Sequence, residues 1–330
     1  MRSRGTRWGA SDAETSGRGG SKHLPPHGST YTPFVRVELT IPPTSLLASL
    51  RSHRVGFQDP GVFSDTERYA VAFHTPSGPC ALTLTPKSRT EIDVELEGSE
   101  HIESLLPAIC GAADDPERLL PLTAHLPRLH SLVRRHRLVR MPAVPWRYEI
   151  AVGIVLQQRV DFDGAAASYA TLLKRHGTRA PGRFGLMLLP TQEQLGQLPS
   201  HAFRALGIDG QRERALRSLL SSDAIEAPDA ASARERLGRL SGFGPWTIES
   251  IAGLAYGDPD AVPTGDYWLP HLVSHALHGK ARSSDEEMLS YLEPFRPQRM
   301  RLIRVLYGAG FSAQRFGPKR PRGPHEGLQR

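Results

Sequence analysis

Two glycines and an aspartate are the residues whose types and spacing say most about chemistry. Leu240-Ser241-Gly242-Phe243-Gly244-Pro245 stands between two stretches of helical apolar spacing, 231–239 and 245–256. The glycines permit a tight turn, and Pro245 suits the first turn of the second helix, where a missing N–H costs nothing. Backbone N–H groups at that helix's N-terminus would then face outward, a geometry that holds phosphate. A plain helix–turn–helix linker has the same spacing. Asp266 follows soon after, in Val262-Pro263-Thr264-Gly265-Asp266-Tyr267-Trp268. It can act as a charge-stabilising carboxylate or as a cap for the next helix, whose regular part should begin near Leu269 because Pro270 cannot bond back. His271 and His275 have the spacing of a helical zinc site, but the segment lacks the intervening Glu and a third ligand, so no metal held by side chains is expected. Cys80 and Cys110 are the only cysteines. That excludes a disulfide framework, a four-cysteine zinc site and an all-cysteine iron–sulfur cluster, and both read as buried thiols.

The elements that must position these residues divide the 330-residue chain. Residues 1–30 read as a disordered basic leader without apolar periodicity. From 31 to 112 the period is two: Val35, Val37 and Leu39, then Tyr69, Val71 and Phe73, then Ile92, Val94 and Leu96. These are half-buried antiparallel strands of a small α+β domain, interrupted by a helix-like stretch at 45–53 and punctuated by Gly61, Pro76, Gly78, Pro79 and Pro86. From 113 to 312 the period is 3.6. Short helices are expected at 147–160, 164–176, 191–196, 200–206, 211–221, 231–239, 245–256, 268–278, 285–292 and 297–307. Residues 313–330 read as a basic disordered tail.

Lys and Arg number 41 against 34 Asp and Glu, a net charge of +7. A polyanion is therefore the expected partner class, nucleic acid first. The longest apolar run, near Ile150–Leu156, is far short of the ~20 residues of a membrane span, so no membrane association is expected. The first twenty residues lack the apolar core of a secretory signal, so a cytoplasmic location is expected, nucleoid-associated if the polyanion is DNA. The run Arg128–Arg140 is basic with interleaved Leu and Val, suiting either a DNA-facing helix or a solvated face.

The hairpin and the aspartate together resemble the helix-hairpin-helix DNA glycosylase superfamily, in which an L-x-G-x-G hairpin precedes a catalytic aspartate by some twenty residues. The 3-methyladenine DNA glycosylase II group is the nearest resemblance, through the strand-rich segment placed before the helices and through Tyr148–Gly177. The fold so implied is a small α+β domain followed by an all-α helix-hairpin-helix domain. The activity implied is excision of alkylated purines from double-stranded DNA, with Asp266 stabilising an oxocarbenium-like sugar. The resemblance further implies a base pocket of Trp246, Tyr267 and Tyr307. DNA contacts fall to Gln157, Gln158, Arg159, Gly242, Gly244 and Thr247, Arg159 standing where a residue fills the gap left by the flipped nucleotide. Ser250 departs from the pattern where another aromatic is expected. Strand-cleaving relatives carry a Schiff-base lysine where this sequence has Trp246, which implies a monofunctional hydrolase. No organic or redox cofactor is implied; a monovalent cation held by hairpin carbonyls is, and a monomer is expected. The alternative is a non-catalytic lesion or abasic-site binder, which would have no need of a carboxylate beside phosphate.

Overall fold

Period-two segments between Phe34 and Glu97 close into one antiparallel sheet. The computed structural model describes residues 34–98 and 102–312; the expected leader and tail lie outside them. Strands β1 (Phe34–Thr40), β2 (Val62–Ser64), β3 (Tyr69–Thr75), β4 (Gly78–Pro86) and β5 (Glu91–Glu97) lie in the order β1-β5-β4-β3-β2. Val37 stands opposite Val94, and Leu82 opposite both Val71 and Leu96. The expected break at Gly78, Pro79 and Pro86 is corrected: they belong to β4, with the prolines near its two ends, where a missing ladder N–H is tolerated. Helix α1 (Leu46–Leu50) fills the interruption after β1.

Tyr69, Val71 and Phe73 of β3 enter the main core, while the intervening Ala70 and Ala72 are buried under a second, two-stranded hairpin, β6 (Thr178–Arg179) and β7 (Met187–Leu188). The alternation visible in β3 is thus large against small, with both faces covered. Cys80 and Cys110 are buried, and burial pushes the Cys110 thiol up to about 12.

The helical region begins with α2 (Leu106–Ile109), α3 (Leu119–Thr123) and α4 (Pro127–His136). Then come α5 (Arg147–Gln157), α6 (Phe162–His176), α7 (Gln192–Gly196), α8 (Ser200–Ala205), α9 (Gly210–Leu220) and α10 (Ala230–Leu237). The chain continues through α11 (Pro245–Ala255), α12 (Leu269–His278), α13 (Asp285–Leu292) and α14 (Arg299–Gly308). No helix is long and apolar enough to cross a membrane among the described residues. Two hydrophobic clusters organise the packing. One joins the sheet to α5, α6, α9, α10 and α11; the other joins α3 and α4 to α12, α13 and α14. Helix α11 touches both, through Ile251 and Ala255 on one side and Ala252 on the other.

The first cluster encloses carboxylates that gain nothing from ionisation. Glu149 on α5 accepts the His74 backbone N–H at 3.2 Å, and burial raises its carboxyl to about 7. Asp59 is raised to about 6 for the same reason, although it accepts N–H bonds from Val55 and Gly61. A folded-state pKa above the unfolded one favours folding while the acid is protonated. This contribution is full below about pH 4.5 and lost as pH rises toward 7. Glu149→Gln, which cannot ionise, is therefore expected to gain on the wild type by about 1–3 kcal/mol between pH 5 and 7.5, read by denaturant unfolding at both values. An unchanged difference between the two pH values would show that Glu149 does not titrate in this window.

Candidate active site

Helix α9 is the platform on which the site is built. Its Ala215 lies beneath the α10–α11 hairpin, where a Cβ on Gly242 would come within 2.9 Å of the Ala215 Cβ. Its Ser218 hydroxyl accepts the Ser241 backbone N–H at 3.0 Å. Its Arg212, buried, donates to the Leu156 carbonyl at 3.1 Å and so fixes the end of α5, where the loop to α6 begins. Gly242 sits at φ +83°, a left-handed position that favours glycine, whereas Gly244 is extended at φ −95° as the N-cap of α11.

An α-helix leaves its first N–H groups without intrahelical acceptors. In α11 these belong to Trp246 and Thr247, because Pro245 has none and Ile248 bonds back to Gly244. They form the donor array expected for a phosphate. Arg234 braces the hairpin from behind, gripping Glu249 of α11 with two bonds of 2.8 and 2.7 Å and reaching Asp258 at 2.6 Å. Hydrogen bonds to these carboxylates raise its pKa further.

Asp266 bonds on one side to Trp246, which packs on the first cluster, and on the other to Leu269 of the second. Gly265, at φ +86°, turns the chain and donates its N–H to Asp285 at the start of α13, 2.8 Å away. The Asp266 carboxylate then receives three donors. Oδ1 accepts the backbone N–H groups of Trp268 at 2.7 Å and Leu269 at 2.8 Å, which caps α12 at Leu269, while Oδ2 accepts the Trp246 indole N–H at 2.9 Å. Capping and positioning are thus combined in one carboxylate. Tyr307 on α14 is half exposed, and its phenol is held upward by burial first and by the Asp266 charge second.

The site residues expected from sequence divide here. Trp246 and Tyr307 come together with Asp266. Tyr267 does not join them: its ring packs edge-on against Trp268, centroids 4.7 Å apart, and lines a separate open cleft with His271, Lys280 and Glu287. Trp268, 38% exposed, is an aromatic beside Asp266 that sequence reasoning passed over. Among the expected DNA contacts, Thr247, one of the residues whose backbone follows the hairpin glycines, has a buried side chain whose Oγ1 accepts from Gln158 Nε2 at 2.9 Å. Gln158 also donates to the Gly242 carbonyl at 3.0 Å, so it ties the α5–α6 loop to the hairpin. Gln157 turns back to the Gly153 carbonyl of its own helix. Arg159 remains at the loop tip. It is exposed, holds a left-handed φ of 61° and donates to Gln211 of α9. A non-glycine residue in that conformation is held there by its surroundings, and such strain concentrates at functional loops. His271 Nδ1 accepts the Ser283 N–H at 3.2 Å.

No protein-family model matches the chain. Over 164 residues, 47% of this chain, it is 32% identical to the probable bifunctional transcriptional activator/DNA repair enzyme AlkA of Mycobacterium tuberculosis, and the match spans only 32% of that protein. The chain thus corresponds to about a third of the curated relative's length. Among solved structures, a 3-methyladenine DNA-glycosylase from Archaeoglobus fulgidus superposes with a TM-score of 0.68 at 18% identity, covering 84% of this chain and 99% of the other. An 8-oxoguanine glycosylase/lyase from Clostridium acetobutylicum, solved with double-stranded DNA, superposes with a TM-score of 0.55 at 12% identity, over 76% and 97% of the two chains.

Proposed function

We propose that the chain is a helix-hairpin-helix DNA glycosylase near the 3-methyladenine glycosylase II group, a reading supported by its fold and its matched segment, and that it hydrolyses the N-glycosidic bond of alkylated purines in duplex DNA and leaves the strand intact. The observation that carries this reading is the Asp266 carboxylate, fixed by the Trp246 indole and the α12 N-terminus beside the hairpin. Alkylation at purine N3 or N7 makes the base cationic, so it can depart without a general acid. What the protein must supply is charge opposite the oxocarbenium-like sugar and a place for the attacking water. Trp246 and Tyr307 offer electron-rich faces for a cationic base, an attraction of about 0.5–2 kcal/mol. The hairpin carbonyls are the groups that would hold a monovalent cation and so draw a phosphate to the turn; the Gly242 oxygen is already bonded to Gln158, and a cation would share it or take its neighbours'.

The lyase activity named for the Clostridium protein needs an amine. Trp246 occupies the lysine position, and Lys280, which lines the cleft beside Tyr267, is ion-paired to Glu287, a hydrogen bond that raises its pKa and keeps it protonated. Incubation with methylated duplex DNA is expected to release 3-methyladenine or 7-methylguanine on chromatography, with no protein–DNA adduct trapped by borohydride. An adduct would end the monofunctional reading and make Lys280 the first residue to replace. Absence of any released base would favour a lesion-binding protein.

A further inference from the structure

A second basic surface lies outside the site just described. Helix α4 and the turn between β4 and β5 enclose an open cleft of about 660 Å³ whose lining includes Arg89, Arg134, Arg135, Arg137 and His130, with no carboxylate among its lining residues. Several other surface arginines sit against carboxylates, as Arg36 does with Asp93, Arg68 with Glu67 and Arg183 with Glu95. Among the described residues none of the four cleft arginines has such a partner within 4.0 Å, and all four are exposed. A helix C-terminus attracts some positive charge, but its field corresponds to about half an elementary charge, and Arg134, Arg135 and Arg137 bring three. The Arg135 charge, after burial, depresses the pKa of neighbouring His136.

Position supplies the second argument. Helix α4 packs against α14, and the His136 ring lies 3.5 Å from where a Cβ on Gly308 would stand, one residue beyond Tyr307. Arg134 and Arg135 precede His136 by two residues and one, within a single helical turn of that contact. On α14, Gly308, against which α4 packs, thus directly follows Tyr307, which feels the Asp266 charge. We propose that the α4 cleft is a second grip on the sugar–phosphate backbone, separate from the hairpin, taken by phosphates that flank the lesion. This rests on the glycosylase reading and deepens it: the hairpin holds one stretch of strand and the α4 arginines another. Arginine suits the task, since its planar fork meets phosphate oxygens in pairs.

The test compares two triple variants of the full chain, R89Q/R134Q/R135Q in the cleft and R36Q/R68Q/R183Q around the sheet, which lose equal charge. Affinity for a duplex containing an abasic-site analogue is measured from 50 to 200 mM salt, with melting temperatures to confirm folding. Each phosphate contact contributes about 0.9 to the slope of log affinity against log salt. The cleft variant is expected to lower the steepness of that slope by about 2–3 and the sheet variant to leave it as in the wild type. Equal slopes for wild type and the cleft variant, or equal losses in both variants, would overturn the second grip while leaving the hairpin reading intact. A wild-type protein that binds the duplex without salt dependence would instead overturn the glycosylase reading and the second grip with it.

Discussion

Asp266→Asn is expected to slow base release by about 10²–10³, the effect of removing one electrostatic group that stabilises transition-state charge, about 3–4 kcal/mol. The geometry adds a condition that the residue type alone does not reveal. Three N–H donors converge on the two carboxylate oxygens, from Trp246 on one side and from Trp268 and Leu269 on the other. An Asn side chain has one oxygen and one NH₂, so one side of this arrangement must face a donor with a donor. Asn is a good cap by itself, and the orientation that keeps the α12 cap turns the NH₂ toward the Trp246 indole. A cost of about 1–2 kcal/mol follows from the lost bond, a fall of a few degrees in melting temperature for a protein of this size. Single-turnover release of 3-methyladenine and 7-methylguanine, with duplex affinity and melting temperature measured on the same preparations, separates the possibilities. Slow release with retained or tighter binding supports the catalytic role, because a negative charge facing phosphate has been removed. Wild-type release by the folded variant would reduce Asp266 to a cap, and no release by either protein would favour a lesion binder.

How much of this could be read from the sequence depends on whether a residue's task is local. Helices α6, α7, α9, α10 and α13 are legible because their 3.6-residue apolar spacing is local and each carries its own start: Asp161, Thr191, Asp209, Asp229 and Ser284 each accept a backbone N–H at the N-terminus. The hairpin is legible because its turn requires Gly242 at a left-handed φ. The start of α12 at Leu269 follows from Pro270. By contrast, the Trp246–Asp266 bond joins residues twenty apart, and the Gln158–Gly242 bond residues 84 apart; no periodicity encodes which side chain an amide or indole will meet. The family resemblance implied that Tyr267, next to Asp266, shares its pocket. With the Asp266 carboxylate turned in to cap α12, the next side chain is turned out, and the ring ends 62% exposed. Prolines 79 and 86 misled for a related reason: a missing N–H ends a strand only where a neighbour needs it, and at the ends of β4 none does.

The two hairpin glycines look equivalent in sequence and are not equivalent in the fold, which yields the second large effect. Gly242 is required by the backbone: at φ +83° a β-branched residue is strained, and its Cβ would press on the backbone-anchored Ala215 Cβ at 2.9 Å. Gly242→Val is therefore expected to cost about 2–4 kcal/mol of stability, from strain and overpacking together. Gly244 is extended, and a Cβ there meets nothing within 4 Å. Gly244→Val should fold as well as the wild type, with a small gain because the unfolded chain has less freedom to lose. Its side chain, however, would stand at the mouth of the donor array formed by the Trp246 and Thr247 N–H groups, where a phosphate must approach the backbone closely. Binding is expected to weaken by about 10–100-fold, a cost of about 1.4 kcal/mol per factor of ten, and equally for damaged and undamaged duplexes, because phosphate contacts carry no base information. The wild type itself should lose affinity steeply between 50 and 200 mM salt, by about 10³–10⁵ if six to ten phosphates are held. Titrations of both variants against lesion and undamaged duplexes across that range, with melting curves alongside, decide it. A folded Gly244→Val protein that binds like the wild type at every salt concentration would show that the hairpin is a structural turn and that the phosphate grip lies elsewhere.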